Sequence, residues 1–414
     1  MKIFIPFFFL LISCSAPLIE DENFLESLMM QEPEKFADVL KNREAYEVQI
    51  IYTQINRDEN NIPAFKTFHF NVDPDRYFYP ASTVKFPASV LALEKINKLN
   101  IEGLDKYTPM FTDSAFSGQT KVLYDSTSAN YLPSVAHYIR KIMIVSDNDA
   151  HNRLYEFLGQ AGFNDALHEH GLSASRMTHR LAIFLTEEEN RHTNPIRFVN
   201  NGQVLYEQAA EYNDKPFNFS ASILKGKAYL RGDSLVHEPF DFTAKNIFPL
   251  TEQQQLLKAV FFPESAEPAQ RFNLTADDYR FLYQYMSQLP TETFYPNYQA
   301  DANMYDAYAK FLMYGSDKSV KIPKHLRIFN KIGQAYGYVT DNAYIMDTKN
   351  KIEFMLSATI LANKNQTFND GTYEYDEVAL PFMKNLGQAI YTYELKRKRD
   401  FVPELSRYKV TYEE

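Results

Sequence analysis

The chain has 414 residues, a net charge of −10 and one cysteine. The acidic balance excludes a nucleic-acid partner held through its phosphates, which needs basic patches, and the lone cysteine excludes intramolecular disulfides and multi-cysteine metal sites. An apolar content of 45% allows a sizeable core and argues against disorder.

The first residues do not read as fold. Lys2 supplies a positive end, and residues 3–12 form an apolar run. That run is shorter than the roughly 20 residues a membrane-spanning helix needs, so it reads as an export signal. It ends in Leu11-Ile12-Ser13-Cys14, which resembles a bacterial lipobox. The resemblance implies that residues 1–13 are a signal peptide and that Cys14 is lipidated. Two acyl chains, at about 0.8 kcal/mol per buried CH₂, would hold the protein at a membrane of the bacterial cell envelope, facing the periplasm or the exterior. Residues 14–33 then form a lipidated tether and an N-terminal helix.

Residues 24–40 read as helical, with Pro33 breaking the stretch in two. Residues 46–55 alternate and are β-branched, and residues 65–72 read alike, so a hairpin is expected. Helical periodicity starts at Ser82 and returns at 135–143 and 150–158, the last stopping at Gly159. Thr251-x-x-Gln254 and Thr275-x-x-Asp278 read as capping boxes. Residues 326–332, 337–346 and 351–360 are short apolar runs separated by turn chemistry, and a final helix spans 379–396. Strands, helices, strands and helix in that order predict an α/β (α+β) fold. An antiparallel sheet is built from both chain ends and flanked by helices, with a mostly helical part inserted. The α/β part is read at 34–80 and 316–400, the helical part at 81–315.

Three short motifs recur in a fixed order: Ser82-Thr83-Val84-Lys85, Ser146-Asp147-Asn148 and Lys331-Ile332-Gly333. Residues i and i+3 share a helix face, so Lys85 can sit beside Ser82. A serine hydroxyl becomes a competent nucleophile when a neighbour takes its proton. A neutral lysine can do so if burial and a second cation, Lys331, lower its pKa.

The joint pattern resembles the S-x-x-K, S-D-N and K-T-G set of class A β-lactamases and penicillin-binding proteins. The resemblance runs over roughly residues 34–396. It implies Ser82 as nucleophile, Lys85 as its base and Ser146 as proton donor to the leaving nitrogen. It also implies Lys331 facing a substrate carboxylate, Asn148 binding the substrate amide, and Gly333 leaving room along the strand. The backbone N–H groups of Ser82 and Gln334 would form the oxyanion hole. Asp147 is expected to fix its own loop.

The pattern departs from the family in three places. Ile332 stands where a Thr or Ser is usual, removing a hydrogen bond to a charged group worth about 1.5–3 kcal/mol. In class A enzymes a glutamate four residues before an asparagine supplies the deacylating base. Here Arg180-Leu181 could open that loop, but Thr186 holds the position four residues before Asn190. One of Glu187, Glu188 and Glu189, with Glu188 taken as the candidate, would have to serve; the alternative is an acidic, solvated first helical turn. Residues 198–272 look like an insertion containing a hairpin around Arg231-Gly232-Asp233, its aromatics forming local core. His168-Glu169-His170 lacks a third spaced ligand, so no metal and no cofactor are expected. The leading expectation is a monomeric acyl-serine hydrolase of β-lactams. The alternatives are a peptidoglycan D,D-peptidase or esterase acting on stem peptides, and a non-catalytic cell-wall-binding lipoprotein.

Overall fold

The computed structural model describes residues 23–219 and 221–412. The lipobox and Cys14 lie outside the described residues.

Pro33 stands at the first position of a helix, where its missing N–H would have had no partner anyway. It therefore divides the apolar N-terminal stretch into α1 (Phe24–Met29) and α2 (Pro33–Lys41). The β-branched run beyond forms β1 (Gln49–Arg57), and β2 (Pro63–Phe70) returns beside it with Tyr52 opposite Phe68. Asp58 closes the turn, its carboxylate accepting from the N–H groups of Asn60 and Ile62. This is the expected hairpin.

Seven helices follow: α3 (Lys85–Leu99), α4 (Val135–Val145), α5 (Asn148–Leu158), α6 (Gln160–Glu169), α7 (Glu187–Arg191), α8 (Leu250–Phe261) and α9 (Ala276–Ser287). Strands β3 (Leu326–Ala335), β4 (Tyr338–Asp347) and β5 (Ile352–Leu361) then complete one antiparallel sheet in the order β3-β4-β5-β1-β2. Helix α10 (Leu380–Lys396), entered through a single π turn at Tyr375–Ala379, ends the architecture. Both chain ends thus build one sheet with a largely helical part between them, as the element order implied.

Every residue of β4 and β5 is buried, because the sheet is covered on both faces. One face carries α1, α2 and α10, with Phe24, Phe36, Tyr52, Phe354 and Leu386 in a common cluster. The other meets α8 and the helical part, through Phe261, Phe329, Tyr344 and Met355. The order leaves β3 at an edge, beside the helical part.

Two local readings change. Thr251 is not a cap: α8 starts at Leu250 after Pro249, and Gln254 is buried against the sheet. The Gln254 amide donates to Ile51 O (3.1 Å) and Ser357 Oγ (3.0 Å) and accepts from Thr53 Oγ1 (2.8 Å). Polar groups buried on a strand need partners, and that need outweighs the capping pattern. Thr275 and Asp278, by contrast, cap α9 reciprocally. The helical part also holds a small sheet of Met110–Thr112, Ile196–Asn200 and Gln203–Gln208.

Within 198–272, Ala228–Arg231 and Ser234–Val236 pair as the expected hairpin. Its first strand also pairs in parallel with Thr367–Phe368, tying this stretch to the other end of the chain. Phe240, Phe242, Phe368 and Tyr336 pack together over Tyr79, so the aromatics form local core. Among the described residues no helix is long and apolar enough to cross a membrane.

Candidate active site

The three motifs converge where the start of α3, the α4–α5 junction and edge strand β3 meet. Ser82 lies in a 3₁₀ turn, Ala81–Val84, that runs directly into α3. Ala81, one residue earlier, adopts φ 48°, a left-handed conformation that costs a non-glycine residue of order 1–3 kcal/mol and concentrates at functional sites. The turn is held by Pro80 O, which accepts from Thr83 N (3.1 Å) and Thr83 Oγ1 (2.7 Å).

Ser146 ends α4 with φ 61°, and Asp147 opens α5 by accepting from Ala150 N at 2.8 Å. Asp147 therefore fixes its own loop, as expected. The tight junction points Ser146 and Asn148 at Lys85. The Lys85 ammonium, fully buried, donates to Ser146 O (2.5 Å) and Asn148 Oδ1 (2.7 Å), with Ser146 Oγ at 3.2 Å. From the opposite side Lys331 Nζ reaches Ser146 Oγ at 2.7 Å and Ile332 O at 2.8 Å. Ser146 Oγ thus bridges two lysines.

Burial removes water from both ammonium groups, which disfavours their charged forms. Lys85 is pushed down to about 7 by burial, against the opposing pull of Asp147. Lys331 is driven well below the lysine range by burial and then by the charge on Lys85. Behind Lys331, Asn330 bridges buried Lys310 and Asp341, a network that fixes the strand carrying it.

Gly333 sets the contact between β3 and the nucleophile turn. A Cβ there would lie 2.6 Å from Pro80 O and 3.2 Å from Ser82 N, so only glycine lets the two backbones approach so closely. Gln334, next along the strand, is exposed at the rim. Ile332 alternates to the other side and packs on the cluster around α10, which explains how an apolar residue is accommodated in the motif.

Ser82, Lys85, Ser146, Asn148, Lys331 and Gly333 are therefore brought together. Glu188 is not. It caps no part of this cluster: its carboxylate lies on the surface beside His192 (3.4 Å) and Tyr212 Oη (3.3 Å), with the side chain 60% exposed. Glu187 pairs with Arg191, and Glu189 forms a reciprocal capping box with Thr186. The acidic run is the first turn of α7, where carboxylates complement the helix dipole, and that requirement decides their position. The loop before it is pinned elsewhere. Arg180 is bound by Glu156, and the Asn152 side chain exchanges two 2.9 Å hydrogen bonds with the backbone of Leu181.

Two histidines, His151 buried and His179 half-buried, escaped the sequence reading. His151 lies three residues after Asn148, on the same face of α5, and its Nδ1 has no partner among the described residues. Burial, then the charges of Lys85, His179 and Lys331, hold it well below the usual imidazole range. His179 stacks parallel to Tyr79 at 6.3 Å and donates from Nδ1 to Arg180 O at 2.6 Å. A carbonyl only accepts, so the proton sits on Nδ1 and Nε2 presents a lone pair, without a partner among the described residues. Burial holds His179 at about 4. The i, i+3 step from Asn148 to His151 was the one signal available for the first; nothing local marked the second. His168 and His170 have structural partners, Ser175 O and the buried Glu94 carboxylate.

An antiparallel sheet built from both chain ends and flanked by helices, with a largely helical part inserted, is a β-lactamase/transpeptidase-like architecture. The model of the "Beta-lactamase enzyme family" matches residues 33–216, a span that includes Ser82, Lys85 and Ser146 to Asn148 and stops short of Lys331. The match covers less than half of the chain, and it agrees with the β-lactamase/transpeptidase-like fold described above. Similar solved structures include a β-lactamase from Xanthomonas campestris pv. campestris, 12% identical over 90% of this chain and 98% of that one, TM-score 0.48. Another is from Sphaerobacter thermophilus, 10% identical over 89% and 96%, TM-score 0.48. A third is from Streptosporangium roseum, 15% identical over 90% and 98%, TM-score 0.47. No curated protein matches the sequence.

Proposed function

We propose that the chain is an acyl-serine enzyme that opens an amide or ester of a carboxylate-bearing substrate, a β-lactam or a peptidoglycan stem peptide. The observation that carries this reading is Ser146 Oγ set between Lys331 Nζ (2.7 Å) and the Nζ (3.2 Å) of Lys85, the residue one turn on from Ser82. With its pKa near 7, Lys85 is roughly half neutral at pH 7, where an ordinary lysine is neutral in about one molecule in 10³. Neutral Lys85 takes the Ser82 hydroxyl proton as Oγ attacks the carbonyl carbon. The developing oxyanion is received by the N–H groups of Ser82 and Gln334. The proton then passes through Ser146 to the leaving nitrogen as its bond to carbon breaks, which leaves the acyl group on Ser82. Lys331 holds the substrate carboxylate and Asn148 its amide.

None of the three α7 glutamates is hydrogen-bonded to this cluster, and that favours a long-lived acyl-enzyme, the behaviour of a penicillin-binding peptidase. The other reading, β-lactam turnover, needs a base for hydrolysing the ester, and the unpartnered Nε2 of His179, whose ring stacks on Tyr79, is the candidate. Intact-protein mass after mixing with benzylpenicillin, followed over time, tests both. A single adduct that Ser82→Ala abolishes supports the acyl-serine reading, and its persistence over hours supports the peptidase form. An unmodified mass at all times, with substrate intact, would leave a non-catalytic wall-binding role. Lipidation at Cys14 would hold this chemistry at the cell envelope.

A further inference from the structure

A cavity of about 780 Å³, with Ser82 not among its lining residues, lies beside Glu47, to which Tyr338 Oη donates. The end of α2, the approach to β1, the Lys225–Gly226 turn and the segment from Leu361 to Val378 enclose it. Its size suits a small ligand. Its chemistry is one-sided. Asp38, Glu44, Glu47, Glu374 and Glu377 line it against two cations, Lys225 and Lys364.

Several of these carboxylates are already engaged. Glu47 is bound by Lys225 (2.9 Å) and Tyr338 Oη (2.9 Å), and Asp38 by Tyr46 Oη (2.7 Å). Among the described residues Glu374 accepts a hydrogen bond from Lys364 N through Oε2 (3.0 Å) and none through Oε1. Asn363 supplies a separate signal. It is 7% exposed and lines the cavity, yet both Oδ1 and Nδ2 lack a partner among the described residues. Leaving a buried amide unpaired costs about 1–3 kcal/mol for each group, so its two polar atoms call for a ligand with both a donor and an acceptor. Among the described residues no three carboxylates converge as a metal site, and the volume far exceeds one ion.

We propose that this cavity binds an amine-bearing peptide or amino-acid amide: Asn363 pairs with its amide group, and the carboxylates of Glu374 and Glu377 receive its ammonium group. The assignment is independent of the Ser82 chemistry.

The test is calorimetric titration of the full-length protein with Nα-acetyl-lysine methylamide and with its uncharged counterpart, Nα-acetyl-norleucine methylamide. The amine is expected to bind at least about tenfold more tightly, as one charged hydrogen bond allows. Raising the salt concentration should erode that preference. The E374Q/E377Q double variant should lose the preference by about tenfold, and Asn363→Leu should weaken both probes alike. Equal affinity for the two probes, absence of heat with either, or an unchanged preference in E374Q/E377Q overturns the proposal. If Asn363→Leu does not fold, the carboxylate variant decides. Occupation of the cavity by the chain's own terminal residues would appear as absence of binding and counts against it.

Discussion

Replacing Gly333 by alanine adds one methyl group at the tightest approach in the site. Its Cβ would fall 2.6 Å from Pro80 O, 3.1 Å from Thr83 Cγ2 and 3.2 Å from Ser82 N. Pro80 O cannot swing aside, because Thr83 N and Thr83 Oγ1 both donate to it. Carbon approaches a carbonyl oxygen no closer than about 3.3 Å without strain, so β3 or the Ser82 turn must retreat by roughly 0.7 Å. Overpacking of this kind costs about 1–3 kcal/mol, which a domain of this size can survive folded. The larger effect falls on chemistry: the retreat separates the N–H groups of Ser82 and Gln334, and misplacement approaching 1 Å costs about 10²-fold in rate. Gly333→Ala should therefore keep its circular dichroism spectrum while acylation by benzylpenicillin, timed by quenched-flow mass spectrometry, slows by about 10–100-fold. A folded variant acylated within twofold of the parent rate would refute the close approach as the element that sets the oxyanion geometry.

Acylation needs neutral Lys85, so its rate should climb as pH rises through about 7 and level off above 8; a profile flat from pH 5 to 9 removes Lys85 as the base. Lys85 is protonated near 10.5 when unfolded but held at about 7 when folded, so between those values the unfolded chain binds more protons and stability rises with pH. Lys85→Met deletes that penalty and should unfold at a higher temperature than the parent at pH 7 while losing acylation by about 10²–10⁴-fold; a lower melting temperature at pH 7 contradicts the burial argument. Glu188→Gln should leave the adduct lifetime unchanged to within twofold, whereas a strongly prolonged adduct would restore that carboxylate to the mechanism. Cys14→Ser should release the protein from the membrane fraction or leave the signal unprocessed, and a variant that is processed and sediments like the parent excludes the lipid anchor.

Much of the fold was legible because its determinants are local. Pro33 divides a helical stretch wherever it falls, β-branched alternation makes 49–57 a strand, and Asp58 with Asn60 closes a hairpin. The order of elements then implied a sheet shared by both chain ends. The reactive cluster was legible for the same reason. Ser82 and Lys85 are related by one helical turn, and Ser146 to Asn148 form a helix–helix junction whose geometry resides in the three residues themselves.

The remainder depended on partners distant in sequence. A run of three glutamates after Thr186 reads equally as a catalytic loop or as a helix start. In the folded chain it forms a helix start, with Thr186 and Glu189 capping each other and Arg191 and His192 drawing the other two aside. Gln254 carries the pattern of a cap, yet buried groups on β1 and β5 claim its amide instead. His151 and His179 are unremarkable in sequence and stand out only because folding buries the first near the charge of Lys85 and stacks the second on Tyr79. The depressed pKa of Lys85 is of the same kind. By itself the sequence determined which groups could react, since nucleophile, amine and hydroxyl are fixed by residue type and short spacing. Tertiary structure alone decided which of them are desolvated and unpaired, because burial and long-range hydrogen bonding belong to the packed molecule and to no segment of it.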